Sequence, residues 1–281
     1  MKRVINIMQG GVQYLIGEPT VPLNLWVDHF LIAKGWPQFS ERRVFPNNHV
    51  DIFFNLGDSN NGKLFRNPNS FEFKDCIVSG LRTSFMEIRP SSYFEVVGIR
   101  FTLFGFFDLF KIPAVEITDQ NYTQFDVLGK EAQILYAKLM DCKSIPDKFN
   151  VLEQWMQAKA DSRPPDIRNW ARIEQILREP FGSVQTKLAQ VMGYSHKHIV
   201  SLFRERAGLT PKAVQKIYRM NSVIKNLSTK NALDLPDLAY ALGYSDQSHM
   251  IREVKRFTGF TPVQLQHQHT ISTDKLLREV R

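Results

Sequence analysis

Two short segments near the C-terminal end carry hydrogen-bonding side chains at helical spacing. His196, Lys197, Ser201 and Arg204 share one face of the first, and Gln247, Ser248 and Arg252 share one face of the second. Arg can pair bidentately with guanine and Gln with adenine. Ser can serve several bases, and an aliphatic group such as Val200 or Ile251 can touch a thymine methyl. The opposite faces are apolar: Ile199, Leu202 and Phe203 in one, Met250, Val254 and Phe257 in the other. Each segment reads as an amphipathic helix with a polar, partly cationic ridge.

The elements that must position these ridges are repeated. Leu188-Ala189-Gln190-Val191-Met192-Gly193-Tyr194-Ser195 recurs as Leu238-Ala239-Tyr240-Ala241-Leu242-Gly243-Tyr244-Ser245. The copies close on Gly208-Leu209-Thr210-Pro211 and Gly259-Phe260-Thr261-Pro262. In each, a short helix ends at a glycine that can turn left-handed without a Cβ penalty. Ser195 and Ser245 are expected to cap the helix that follows. Two helices joined by a short turn containing glycine have the helix-turn-helix geometry. One such copy would better suit a solvated helical hairpin; the repetition favours helix-turn-helix.

Charge distribution agrees. Residues 1–164 hold 18 Lys/Arg against 18 Asp/Glu, whereas residues 165–281 hold 18 against 10, so the whole net charge of +8 sits in the C-terminal part. That asymmetry points to a polyanionic partner. Cys76 and Cys142 belong to no Cys/His cluster, so neither a zinc site nor a disulfide framework is legible. Asn6, Gln9 and Gln13 interrupt the apolar stretch behind Lys2 and Arg3, which makes a poor signal peptide. The longest strongly apolar stretch, 101–107, is far short of the ~20 residues that span a bilayer. The expected location is cytoplasmic, with no membrane partner.

Residues 184–265 resemble the DNA-binding domain of the AraC/XylS family. The run from Gly243-Tyr244-Ser245-Asp246-Gln247 through Arg252, Lys255-Arg256-Phe257 and Gly259-Phe260-Thr261-Pro262 is similar to that family's signature. It departs at Met250 and Val254, where the signature has Phe; both changes keep an apolar side chain. The family's linking helix matches residues 211–227, with Val214, Ile217, Met220 and Ile224 as its core stripe and Pro211 in its first turn. Arg219-Met220 resembles a common Arg-Leu pair there, and Val223 stands where a small Ala is usual. The resemblance implies a sequence-specific transcription regulator whose two recognition helices enter successive major grooves about 34 Å apart. It implies the base readers named above. Lys187, Lys212, Lys216, Lys230, Lys255 and Arg256 become phosphate contacts, which position without reading sequence. Double-stranded DNA is the implied partner. RNA polymerase, a small-molecule effector and a second copy of the chain stay open as further ones.

The N-terminal half reads differently. Seventeen of the 21 Phe precede residue 150, in short segments such as 50–56, 70–73, 85–88 and 94–104 separated by turn formers. Residues 43–58, with Gly98-Ile99-Arg100-Phe101, Pro113-Ala114 and Glu116, resemble N-terminal domains of some AraC-type regulators. The expected fold is therefore α+β in two domains. A β-rich, cupin-like or sandwich domain spans 1–127. Helices at 128–160 pack on it or dimerise, and a linker follows at 161–165. An all-α double helix-turn-helix domain covers 166–270, ahead of a tail at 271–281. Phe101, Phe104 and Phe106 are candidates to line an effector pocket, with ordinary core packing as the competing reading. Only His29 and His49 lie in this half, too few for a cupin metal site, and His49 beside Asp51 reads as structural. No nucleophile arrangement is legible, so no catalytic residue, metal or cofactor is expected. The alternative is a small-molecule-binding or enzymatic barrel that a basic helical domain tethers to DNA.

Overall fold

A computed structural model describes residues 3–58, 63–66, 69–90, 92–123, 127–161, 170–229 and 233–267. The expected linker beyond Asp161, Lys230 and the tail lie outside the described residues.

Among the described residues the strands form two antiparallel sheets. The larger holds β1 (Val4–Gln9), β2 (Val12–Gly17), β3 (Val27–Gly35), β5 (Asp51–Asn55), β8 (Cys76–Ser79), β10 (Phe94–Phe101) and β11 (Asn121–Thr123), in the order β1-β2-β3-β10-β5-β8-β11. The smaller holds β4 (Arg42–Val44), β6 (Lys63–Arg66), β7 (Asn69–Glu72) and β9 (Met86–Arg89), in the order β4-β9-β6-β7.

Beyond its edge strand β1, which is exposed at Val4 and Met8, the large sheet is mostly buried on both faces, and strand alternation sorts its side chains. Phe30 and Ile32, Ile52 and Phe54, and Val97, Ile99 and Phe101 join the main core. That core also takes Ala132, Leu135 and Leu139 of α3 (Lys130–Asp141) and Phe149, Leu152 and Met156 of α4 (Ile145–Asp161). Ser144 starts α4, its hydroxyl accepting from Asp147 N at 3.2 Å. Both helices pack on their own sheet. The residues between, Leu31 and Ala33, Asp51 and Phe53, Val96 and Arg100, face the small sheet across a cavity.

This arrangement corrects the pocket expectation. Phe101 lies on the helix side of β10, away from the cavity. The aromatic run then leaves the sheet as a helix, α1 (Gly105–Phe110), whose first residue packs so close to the Trp26 carbonyl that only glycine fits. Phe106 stacks on Phe110, and Phe104 packs on Trp170 and Phe203. All three candidates are core. His49 and Asp51 are separately satisfied: His49 Nδ1 lies 2.8 Å from the Phe101 carbonyl, and Asp51 takes two bonds from Arg100 at 2.7 and 2.9 Å. No group that could hold a metal ion occurs among the described residues. None of the described helices is long and apolar enough to cross a membrane.

Helices fill the C-terminal part: α5 (Trp170–Arg178), α6 (Val184–Met192), α7 (His196–Ala207), α8 (Pro211–Leu227), α9 (Leu235–Ala241), α10 (Gln247–Thr258) and α11 (Pro262–His267). They share the main core with the β-rich domain. Ile199 and Phe203 of α7 and Val214 of α8 belong to the same apolar cluster as Val27 and Ile99. Short α2 (Ala114–Ile117) and α1 lie against α7. A Cβ at Gly208 would overlap Thr118 Oγ1 and press on the Ala114 carbonyl, so the left-handed end of α7 (φ 84°) is also a close interdomain approach.

Candidate nucleic-acid interface

Each repeat copy folds as two helices about a left-handed glycine. Gly193, at φ 70°, separates α6 from α7, and Gly243, also at φ 70°, lies between α9 and α10. Ser195 caps α7, its side chain accepting from His198 N at 3.3 Å. The second copy departs from expectation. Asp246, not Ser245, caps α10, accepting from His249 N at 2.7 Å, while Ser245 Oγ bonds Asp246 at 3.0 Å. The backbone path puts the carboxylate one residue later at the helix start, where its formal charge strengthens the bond and suits the positive end of the helix. That amide bond holds the Asp246 carboxyl below its ordinary 3.8. A group with a depressed folded pKa contributes stability above its unfolded pKa and loses it as pH falls through the folded one. The first turn of α10 should therefore fray in acid below pH 3.8, which amide exchange at His249 reports. Ser245→Ala should leave that turn intact at neutral pH, whereas Asp246→Ala should open it. Ser195→Ala should cost about 1 kcal/mol by urea denaturation.

Beyond the caps, the two faces of each recognition helix separate as expected. Ile199 and Phe203 are buried in α7, and Met250, Val254 and Phe257 in α10. His196, Lys197, Ser201 and Arg204 are exposed on α7. Ser248, Arg252, Lys255 and Arg256 are exposed on α10, with Gln247 half-buried. Lys212, Lys216, His249, Arg252 and Arg256 line one groove between α8 and α10, whose rim includes Thr83 of the β-rich domain.

Two of the expected phosphate contacts are engaged elsewhere. Lys187 pairs with Glu179 at 2.6 Å and donates to the Phe181 carbonyl at 2.7 Å. Lys216 pairs with Glu253 at 3.1 Å.

Sequence reasoning missed what holds the second unit to α8. Arg219 donates to buried Glu253 at 2.7 and 3.1 Å, donates to the Gly243 carbonyl at 3.2 Å, and lies 3.9 Å over the Tyr244 ring. Burial, with Glu253 close by, pushes the Tyr244 hydroxyl well above the usual phenol range, so it stays protonated. The available signal was an acid at 253, on the apolar side of α10 between Met250 and Val254.

With that geometry in hand, comparison with known proteins decides the assignment. Residues 188–268 match a family model described as a helix-turn-helix domain. The C-terminal domain is a helix-turn-helix domain. Over 97 residues the chain is 28% identical to the HTH-type transcriptional regulator GlxA of Rhizobium meliloti (strain 1021), a match covering 34% of this chain and 29% of that regulator. Residues 17–123 match a family model described as a domain of unknown function. Among solved structures, ToxT from Vibrio cholerae aligns over 85% of this chain and 98% of its own at 12% identity and TM-score 0.44. The AraC-like transcriptional activator CuxR covers 99% and 80% at 9% identity and TM-score 0.21. The helix-turn-helix match thus spans both helix pairs and the α8 rod between them.

Proposed function

We propose that the chain is a sequence-specific DNA-binding transcription regulator that places α7 and α10 in successive major grooves. The observation that carries this reading is the pair of exposed polar ridges on two helix-turn-helix units joined by one helix. In this reading His196, Lys197, Ser201 and Arg204 of α7, and Gln247, Ser248 and Arg252 of α10, read base edges. Lys212, Lys255 and Arg256 contact phosphates. Lys187 and Lys216 join them only by exchanging a glutamate for a phosphate. The β-rich domain senses a small molecule in the cavity between its sheets. A second copy of the chain docks through α3, where Ile134 and Met140 are exposed. RNA polymerase is met on promoter DNA.

Genomic fragments selected by the full chain test the reading. An enriched common site with two segments one helical turn apart is expected; uniform recovery of all fragments would overturn it. On the selected site, Arg252→Ala should weaken binding by about 1–3 kcal/mol and relax preference at one base pair. An equal loss on selected and unrelated DNA would make Arg252 a phosphate contact. Affinity should also fall steeply with salt, because each neutralised phosphate releases a counterion.

A further inference from the structure

The cavity between the two sheets has a volume of about 150 Å³. An apolar-walled cavity of roughly that size holds one benzene-sized group. Its walls are mostly apolar, with Phe39, Phe53, Val44, Met86, Ile88 and Val96 among them. The polar groups on the wall differ in how they are answered. Arg100 is neutralised by Asp51. Arg82 is held by Ser79 and Asn121. Arg42 donates to the neutral Tyr14 hydroxyl at 2.5 Å and lies over the Tyr14 and Phe39 rings, and it has no carboxylate partner among the described residues. A half-buried guanidinium against apolar walls gains most from an anion that brings two acceptor oxygens and an apolar body.

The same strand pair has a second face. Arg42 and Val44, paired with Ile88 and Met86, line the cavity. Arg43, paired with Glu87, also borders the cavity, but its guanidinium bonds Glu87 and reaches the other side. There it lies 4.2 Å from the centre of the Phe85 ring and 4.1 Å from that of Phe260, and donates to the Thr258 carbonyl at 3.3 Å. Thr258 ends α10, and Gly259 at φ 74° lets the chain turn beneath that guanidinium. One two-stranded ribbon, β4 and β9, therefore forms a cavity wall on one side and the seat of the second helix-turn-helix unit on the other.

We propose that the cavity binds a small apolar monoanion of about one-ring size on Arg42, and that the Arg43 seat passes its occupancy to α10. The coupling half rests on the reading that α10 binds DNA; the binding half does not. A site that answers an anion with Arg42 prefers a carboxylate to its neutral amide. Coupling through the ribbon is reciprocal: the factor by which ligand changes DNA affinity equals the factor by which DNA changes ligand affinity.

Calorimetry on the full chain tests this with phenylacetate, cyclohexanecarboxylate and hexanoate, each beside its amide. At least one carboxylate is expected to bind more than ten-fold tighter than its amide, and Arg42→Gln should bring the two within two-fold. Failure of all three carboxylates to bind at millimolar concentration, or equal binding of acid and amide, would overturn the proposal; this comparison needs only the native chain. Amide exchange of residues 253–260, without DNA, should change on adding the bound carboxylate, and Arg43→Ala should abolish that change even at ligand concentrations that saturate the variant. No change in the native chain, or a change that survives Arg43→Ala, would overturn the coupling. Selective carboxylate binding by a chain that shows no DNA affinity would sink the regulator reading and leave the cavity assignment standing.

Discussion

Arg219→Ala should lower stability by about 3–5 kcal/mol, although it touches no residue of either recognition ridge. Its partner Glu253 is 5% exposed and Arg219 itself 17%. Two bonds from one guanidinium to one carboxylate oxygen hold α8 to α10, and a third bond reaches the turn at Gly243. Removing the cation leaves the acid buried with only Lys216 at 3.1 Å and His249 at 4.0 Å, and desolvation of that charge is what the mutation exposes. Replacing both partners by apolar residues removes the orphaned charge as well. The double variant Arg219→Met/Glu253→Met should therefore recover much of the loss. Urea denaturation of the native chain, the single variant and the double variant decides it. A single-variant loss below about 1 kcal/mol would show that the pair contributes no more than a surface bridge does. DNA affinity should fall with Arg219→Ala as well, since the ridge of α10 keeps its residues but loses its fixed direction.

The ridges were legible and the lock was not, for a physical reason. Helical period places Arg204 with Ser201 and Arg252 with Ser248 from spacing alone, and a repeat states the turn twice. A tertiary ion pair between 219 and 253 has no local period. The cap shows a smaller version of the same limit. Ser245 and Asp246 are both good caps, and only the backbone path chooses between adjacent residues. Lys187 and Lys216 look like phosphate contacts in the sequence, because charge is visible there and an acid brought close by folding is not.

The β-rich half was less legible because its large sheet is covered on both faces. In β3, Phe30 and Ile32 face the helices while Leu31 and Ala33 face the cavity, so the strand reads as one apolar run without alternation. For the aromatic run at 101–107 the sequence left a pocket lining and core packing open, and the structure shows core packing. Phe101 ends a strand on its helix face, and Gly105 then turns the chain into α1. Arg42 and Arg43 are adjacent, yet opposite strand faces give one to the cavity and the other to α10.

Phe203→Ala should cost about 3–5 kcal/mol and should destabilise both halves of the molecule together. Phe203 is fully buried on the inner face of α7, its ring 5.1 Å from that of Phe104 and nearly perpendicular to it. Phe104 lies at the end of the β-rich sheet, next to α1, so the first recognition helix is seated on aromatic side chains that belong to the other domain. The cluster runs without a break from Val27 and Ile99 through Phe104 to Ile199, Phe203 and Val214. A void opened at Phe203 thus removes packing from both sides of the domain boundary. Thermal unfolding followed by calorimetry should show one transition shifting down as a whole in Phe203→Ala. Two transitions with only one shifted would mean that α7 is seated independently of the β-rich domain. One shared transition makes the position of the first reading helix a property of the whole chain. The β-rich domain would then set the stance of α7 through Phe104, as it sets that of α10 through Arg43.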